Sequence, residues 1–145
     1  MGWDIILIKS DNYGHISWNK HYGGSDIDRG YRIIKTMDNN LIVAARSYGY
    51  YTENNSHYTN DSQWHIYKLD TAGNIVWDKN FGNPDIRDGF PMGLTETADS
   101  NYIITGSYAV GLMSGNTELL RGRILKIDRN GNIVWSKLYL SLIHI

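Results

Sequence analysis

An all-β chain of short antiparallel hairpins is what this sequence predicts, and three observations carry that expectation. The acidic residues are almost all Asp, with Glu only at Glu53, Glu96 and Glu118. Asp, like Asn and Gly, favours turns, whereas Glu favours helix. Aromatic residues are abundant, with 11 Tyr and 5 Trp, and aromatic side chains suit a pleated surface. Finally, one ten-residue segment is written three times, as DNYGHISWNK at Asp11 to Lys20, DTAGNIVWDK at Asp70 to Lys79 and DRNGNIVWSK at Asp128 to Lys137.

The repeat has a measurable period. Trp18, Trp77 and Trp135 are separated by 59 and then 58 residues, and the same two spacings separate Asp11, Asp70 and Asp128, and Gly14, Gly73 and Gly131. Lys9, Lys68 and Lys126 keep them as well. A second block recurs between these, with GGSDIDRGY at Gly23 to Tyr31 matching GNPDIRDGF at Gly82 to Phe90. TMDNNLIVAA at Thr36 to Ala45 matches TADSNYIITG at Thr97 to Gly106. A period near 60 is too long for most solenoids and suits one four-stranded propeller blade.

Within one period the elements follow in order. Tyr31 to Thr36 reads as a first strand and Leu41 to Ala45 as a second, joined by Asp38-Asn39-Asn40, where Asn tolerates positive φ. Trp64 to Leu69 reads as a third strand and Ile75 to Phe81 as a fourth, joined by Asp70-Thr71-Ala72-Gly73. In that turn the Asp carboxylate accepts backbone N–H groups and Gly supplies the left-handed residue. The repeated decapeptide is thus a hairpin turn plus the strand after it. Its Trp is expected to pack between neighbouring blades, where truncating a buried indole costs about 3–5 kcal/mol. Counting from the innermost strand, residues 3–22 hold the outer two strands of a first blade, 29–82 a second blade and 88–139 a third. The predicted architecture is a partial β-propeller of about two and a half four-stranded antiparallel blades, one incomplete domain whose partners include the remaining blades of a parent chain.

Composition narrows the function. With 14 basic and 15 acidic residues, the chain lacks the basic surface that nucleic acid or anionic lipid would need. It has no Cys, which removes disulfides, thiolate metal sites and cysteine nucleophiles. No apolar run reaches the length of a membrane span. The opening MGWDIILIKSD has no basic stretch followed by an apolar core; it reads as a strand, as though the chain began inside a structural unit.

The repeat resembles the propeller-type repeats of secreted and cell-surface bacterial and archaeal proteins. Their pattern runs D-I-W-L-I-K-L-D-x-x-G-N-I-x-W-x-K-x-Y-G-G, then D-x-A-x-S-I-x-x-T-x-D-G-G-Y-I-V-A-G. DIILIKSDNYGHISWNKHYGG at Asp4 to Gly24 is close to the first half and TADSNYIITG to the second, and the likeness covers almost all of residues 3–139. Asn39-Asn40 and Ser100-Asn101 stand where that family has Gly-Gly. The resemblance implies an extracellular or cell-surface location and a binding or display role. It brings no catalytic residues and no cofactor.

The tail LSLIHI, Leu140 to Ile145, breaks the repeat, which calls for Gly at position 140. It also matches one reading frame of the transposase adapter used in shotgun sequencing libraries. The expectation is a non-native tail from adapter read-through of a metagenomic sequence.

Candidate functional residues fall in the connections. Asp26, Asp28, Asp85 and Asp88 lie between blades, where paired carboxylates could serve acid–base chemistry or cap turns by accepting N–H bonds. Their recurrence in both copies favours the capping role. His57, Asp61 and His65 are spaced four apart, but without a helical apolar period the spacing does not define a metal site. The Asp turns lack the ligand spacing of a calcium loop, so no metal is assigned. The segments 46–63 and 107–123 differ in length and composition while the strands around them agree, and they read as long irregular loops on one face. Tyr48, Tyr50, Tyr51 and Tyr58, with His57, offer flat apolar faces with polar edges amid Asn and Ser, a composition suited to carbohydrate or protein partners. The expected function is therefore a non-catalytic recognition or scaffold segment of an exported repeat protein. A propeller hydrolase or lyase using Asp26, Asp28, Asp85, Asp88 and His57, and a purely architectural spacer, are the alternatives.

Overall fold

The computed structural model describes residues 3–24, 27–53, 56–82, 88–113 and 117–139, and among these the side chains outside 49–61 and 110–120. The described residues form ten strands and no helix: β1 (Ile5–Ser10), β2 (Ile16–Tyr22), β3 (Ile27–Lys35), β4 (Leu41–Glu53), β5 (Ser56–Leu69), β6 (Ile75–Phe81), β7 (Asp88–Glu96), β8 (Tyr102–Met113), β9 (Thr117–Ile127) and β10 (Ile133–Tyr139). They make three sheets, a first of β1-β2, a second of β3-β4-β5-β6 and a third of β7-β8-β9-β10. Every pair of neighbours is antiparallel.

The repeated decapeptide has one structure in all three sheets. Asp70 N donates to Asn74 O at 2.9 Å and Gly73 N to Asp70 O at 3.0 Å, closing the hairpin. The Asp70 Oδ1 atom accepts from Ala72 N at 2.9 Å and Asn74 N at 2.8 Å. Asp11 and Asp128 receive the corresponding N–H pairs, from Tyr13 and His15 and from Asn130 and Asn132. The glycine is left-handed each time, with φ of 86° at Gly14 and 77° at Gly73 and Gly131. A register shift follows in each sheet, so that Lys9 stands opposite Trp18, Lys68 opposite Trp77 and Lys126 opposite Trp135. The other turn type also recurs: Asn39 and Ser100 adopt φ of 62° and 60°.

The second sheet is the middle layer and is apolar on both faces. Val43, Ala45, Tyr67 and Leu69 pack with Ile5 and Tyr22 of the first sheet. Ile42, Ala44, Trp64, Ile66 and Phe81 pack with Tyr102, Ile104, Leu125 and Ile127 of the third. A strand covered on both sides needs an unbroken apolar run, which Ile42-Val43-Ala44-Ala45 supplies, every residue buried.

Sheets also interlock through the repeat. The Trp18 ring lies 3.1 Å from where a Cβ on Gly73 would stand, and the Trp77 ring is equally close to Gly131. A Cβ at either turn would press on the preceding sheet's indole. Lys20 Nζ reaches Asn74 Oδ1 at 2.6 Å, and Lys79 Nζ reaches Asn132 Oδ1 at 3.0 Å. These three tryptophans are only half-buried; the fully buried indole is Trp64. Its Nε1 donates to Gly89 O at 3.1 Å.

The segments 46–63 and 107–123, expected as irregular loops, are strand over most of their length. The β4–β5 ladder continues to Glu53 opposite Ser56, and the β8–β9 ladder to Met113 opposite Thr117. Their Tyr and Thr residues are strand-forming, and each hairpin runs on beyond the core.

Two outcomes are expected. Trp64→Ala should cost about 3–5 kcal/mol of unfolding free energy, read from urea denaturation, well above the loss for Trp77→Ala. Acid should also weaken the fold. Backbone and side-chain bonds from Asn74 hold the Asp70 carboxyl below its usual range, Asn132 does the same for Asp128, and His15 does so for Asp11. Burial works against the Asp38 charge, but bonds from Lys68, Thr36 and Asn40 outweigh it; Lys126 and Thr97 lower Asp99. A depressed folded-state value gives stability that is present above the unfolded carboxylate value, about 3.9, and lost as pH falls through the folded one. Thermal midpoints should therefore hold down to about pH 5 and fall steeply below about pH 4; a flat profile to strongly acid pH would contradict this.

Candidate functional site

The two junctions between sheets are built from equivalent positions but filled differently. At the junction of the second and third sheets, β9 supplies Arg123. Its guanidinium lies 4.8 Å from the Trp64 ring centroid, and its Nη1 donates to Phe81 O at 2.7 Å and Asp88 Oδ1 at 2.6 Å. Arg46 completes this junction, donating to Ser62 Oγ at 2.7 Å while its guanidinium sits between the Tyr48 and Phe90 rings. Ser62 in turn donates to Asp88 O. The Asp88–Arg123 pair is buried on both sides. Burial pushes the Asp88 carboxyl up, and the Arg123 charge opposes it.

At the junction of the first and second sheets, the repeat places Ile5 where Trp64 would be and His65 where Arg123 would be. The smaller pair leaves a cleft of about 350 Å³ lined by Gly23, Gly24, Asp28, Ser47, Tyr48, His65, Tyr67, Ile75, Asp78 and Asn80. Residues alternate along β4 and β5, so Ser47 and His65 share the face that carries Val43, Ala45, Tyr67 and Leu69.

A hydrogen-bonded network lines this cleft. His65 Nε2 lies 2.7 Å from Asp78 Oδ2, which selects the tautomer with the proton on Nε2. Nδ1 is then the acceptor for the Tyr67 hydroxyl at 3.0 Å, and Ser47 Oγ stands 3.2 Å from it. Ser47 donates to Asp28 Oδ1, and Asp28 Oδ2 accepts from Gly24 N at 2.9 Å. The imidazole and phenol rings stack, with centroids 4.1 Å apart. Burial, then the charges of Asp28 and Asp78, push the Tyr67 hydroxyl above the ordinary phenol range, so it stays a proton donor. A Ser hydroxyl already committed to a buried carboxylate is not poised for proton transfer to the imidazole, as nucleophilic catalysis requires. What the cleft offers is a fixed set of acceptors, two carboxylates and an amide, beside aromatic surface.

Of the residues singled out in the sequence, Asp28 and Tyr48 line the cleft, whereas Asp88 belongs to the other junction and is held by Arg123. Asp26 and Asp85 lie outside the described residues, as do the side chains of Tyr50, Tyr51, His57 and Tyr58. The described residues contain no cluster of three or more His, Cys, Asp or Glu able to hold a metal ion. Ser47, Tyr67 and Asp78 carried no individual sequence signal, and His65 entered only through its spacing from His57. Comparing the three copies position by position would have marked them. His65 stands against Ile6 and Arg123, Tyr67 against Ile8 and Leu125, and Asp78 against Asn19 and Ser136.

Among known proteins, no family model matches this chain and no curated protein matches it. No helix among the described residues is long and apolar enough to cross a membrane.

The Asp88–Arg123 pair gives a direct test of structural against functional carboxylates. Asp88→Ala leaves a buried guanidinium without its partner and should cost about 3–5 kcal/mol. Asp78, half-exposed at the mouth of the cleft, should tolerate Ala within about 1 kcal/mol. Denaturant titration of both variants checks the contrast.

Proposed function

We propose that this chain is part of a β-propeller of the exported, cell-surface repeat type, a rigid scaffold that recognises a glycan in the cleft between its first two sheets. The stacked sheets are consecutive blades in this reading, and the two-stranded first sheet is the outer half of one. Clefts of about 550 Å³ and 490 Å³ border β1, the first lined by β1 and β3 and the second also by Trp18, Leu41 and Thr71. Two further strands of a complete blade would fill them.

The observation that carries the recognition reading is where the repeat departs from itself. His65 and Tyr67 stand where the third sheet has the packed Arg123 and Leu125, and with Asp78 they form a connected polar network with Asp28 and Ser47. Features kept in every copy serve packing; this one is kept in none of the others. Carboxylate and amide acceptors beside a Tyr face suit the hydroxyls and apolar ring faces of a sugar. The extended β4–β5 hairpin rises from the same strands. The hydrolase or lyase alternative is less favoured, because Asp28 and Asp88 are both engaged; Asp26, Asp85 and the side chain of His57 lie outside the described residues.

Glycan-array screening followed by calorimetry tests this. A saccharide should bind the wild type and bind Asp78→Ala or His65→Ala at least about tenfold more weakly, a loss of roughly 1.4 kcal/mol. The reading fails if no saccharide is retained, or if both variants bind like the wild type.

A further inference from the structure

The first junction keeps a buried carboxylate and drops the cation that answers it at the second. Register makes Asp28 and Asp88 equivalent, since Asp28 stands opposite Ser47 on β4 and Asp88 opposite Tyr108 on β8. Both are buried, at 5 % and 2 % exposure. Asp88 has large neighbours. Arg123 Nη1 lies 2.6 Å from its Oδ1, with the guanidinium on the Trp64 ring, and Tyr108 is buried. The positions of Arg123, Trp64 and Tyr108 are filled at the first junction by His65, Ile5 and Ser47. Strand β5 is paired on both sides, so His65 in the place of Arg123 is a feature of an interior strand.

The charge around the cleft is one-sided. Asp28 and Asp78 lie at the two ends of the His65 imidazole, Asp78 on Nε2 directly and Asp28 by way of Ser47. A third carboxylate borders the same end, because the point where a Cβ on Gly23 would stand lies 2.6 Å from Asp28 Oδ2 and 3.0 Å from Asp4 Oδ1. The lining of the cleft contains no Lys or Arg. Arg46 is held by Ser62 at the second junction, Lys20 reaches Asn74, and Arg29 lies over the Trp3 ring. We propose that the glycan bound in this cleft carries a protonated amine, and that its ammonium sits between Asp28 and Asp78, in the seat that Arg123 fills at the second junction. This rests on the glycan reading above and narrows it to amino sugars. An ammonium group has three N–H donors and no acceptor, which matches a cleft whose polar lining is rich in acceptors. Charge-assisted hydrogen bonds of this kind are roughly twice as strong as neutral ones. Tyr48 and Ile75, which also line the cleft, are left for the apolar face of the sugar ring.

Calorimetry with three matched probes tests the assignment. They are a glucosamine oligosaccharide, the glucose oligosaccharide that carries a hydroxyl in place of each amine, and methylguanidinium as the bare cation. The glucosamine oligosaccharide should bind at least about tenfold more tightly than its glucose counterpart, and methylguanidinium should compete with it. Asp78→Asn keeps the shape of a half-exposed side chain and removes its charge, so it should erase the preference for the amine. His65→Arg places the third sheet's own cation in the seat and should abolish binding of the glucosamine oligosaccharide and of methylguanidinium. Melting curves report whether each variant is folded, and if one is not, the other decides. Equal binding of the two oligosaccharides would overturn the amine and leave the glycan reading standing. Methylguanidinium bound with neither oligosaccharide would overturn the glycan reading, and the amino sugar with it. Binding of no probe, or a preference for the amine that survives in a folded Asp78→Asn variant, would likewise overturn the proposal.

Discussion

An indole seated on a left-handed glycine turn is the contact on which the stacking of these sheets depends. The glycine serves two requirements at once. Its φ near 80° closes the hairpin of its own sheet, and its missing Cβ makes room for the Trp of the sheet before it. The local turn and the long-range packing therefore select the same residue, and that agreement between levels is what makes a repeat foldable. The Asp of the same turn holds its shape with two backbone N–H groups, so the platform offered to the indole is fixed by its own hairpin.

Layering then sets the composition of the strands. The middle sheet is covered on both faces and spends its inner residues on Ile, Val and Ala, small enough for neighbouring layers to approach closely. Where the layers meet at their upper ends, the chain has two solutions at equivalent positions. One is a buried ion pair packed on an indole, Asp88 and Arg123 on Trp64. The other is a shorter set, Ile5 and His65, with a polar network and open space. The first arrangement cements the junction. The second gives up packing at one place while the indole-on-glycine contact at the far end of the same junction is retained.

The sequence made the all-β class, the hairpins and both turn types legible, because each rests on a local rule. Asp and Gly at fixed offsets imply a closed hairpin, and alternating apolar residues imply strands. Asn39 at positive φ followed from the tolerance of Asn for that region; Ser100 takes the same conformation without that help, in a turn closed by the same pair of backbone bonds. The extent of β4 and β5 was not legible. An irregular run of Tyr, Asn, Ser and Thr has no period to count, and the ladder continues only because a partner strand runs beside it. Nor was the cleft legible. Asp28 and Tyr48 stood out as residues of a connecting segment, but Ser47, His65, Tyr67 and Asp78 come from three strands, and only the pleat places them on one face. The depth of the repeated indoles also escaped the sequence, since half-burial depends on how far the next sheet reaches.

A repeat architecture separates stability from recognition in a way a single-copy fold cannot. Where a position is filled three times, its common solution identifies what packing demands, and the copy that departs from it is released from that demand. At the position of His65 the chain uses Ile6, His65 and Arg123, three side chains with no shared chemistry, so the backbone alone does not dictate the choice. The turn one strand-length away keeps Asp and Gly in all three copies because the backbone does dictate them. A polar network in a packed layer has to satisfy its own donors and acceptors, and His65, Tyr67, Ser47 and Asp28 do so within the cleft. The first junction is anchored at its glycine-bearing end, which leaves its open end to carry the binding site proposed above.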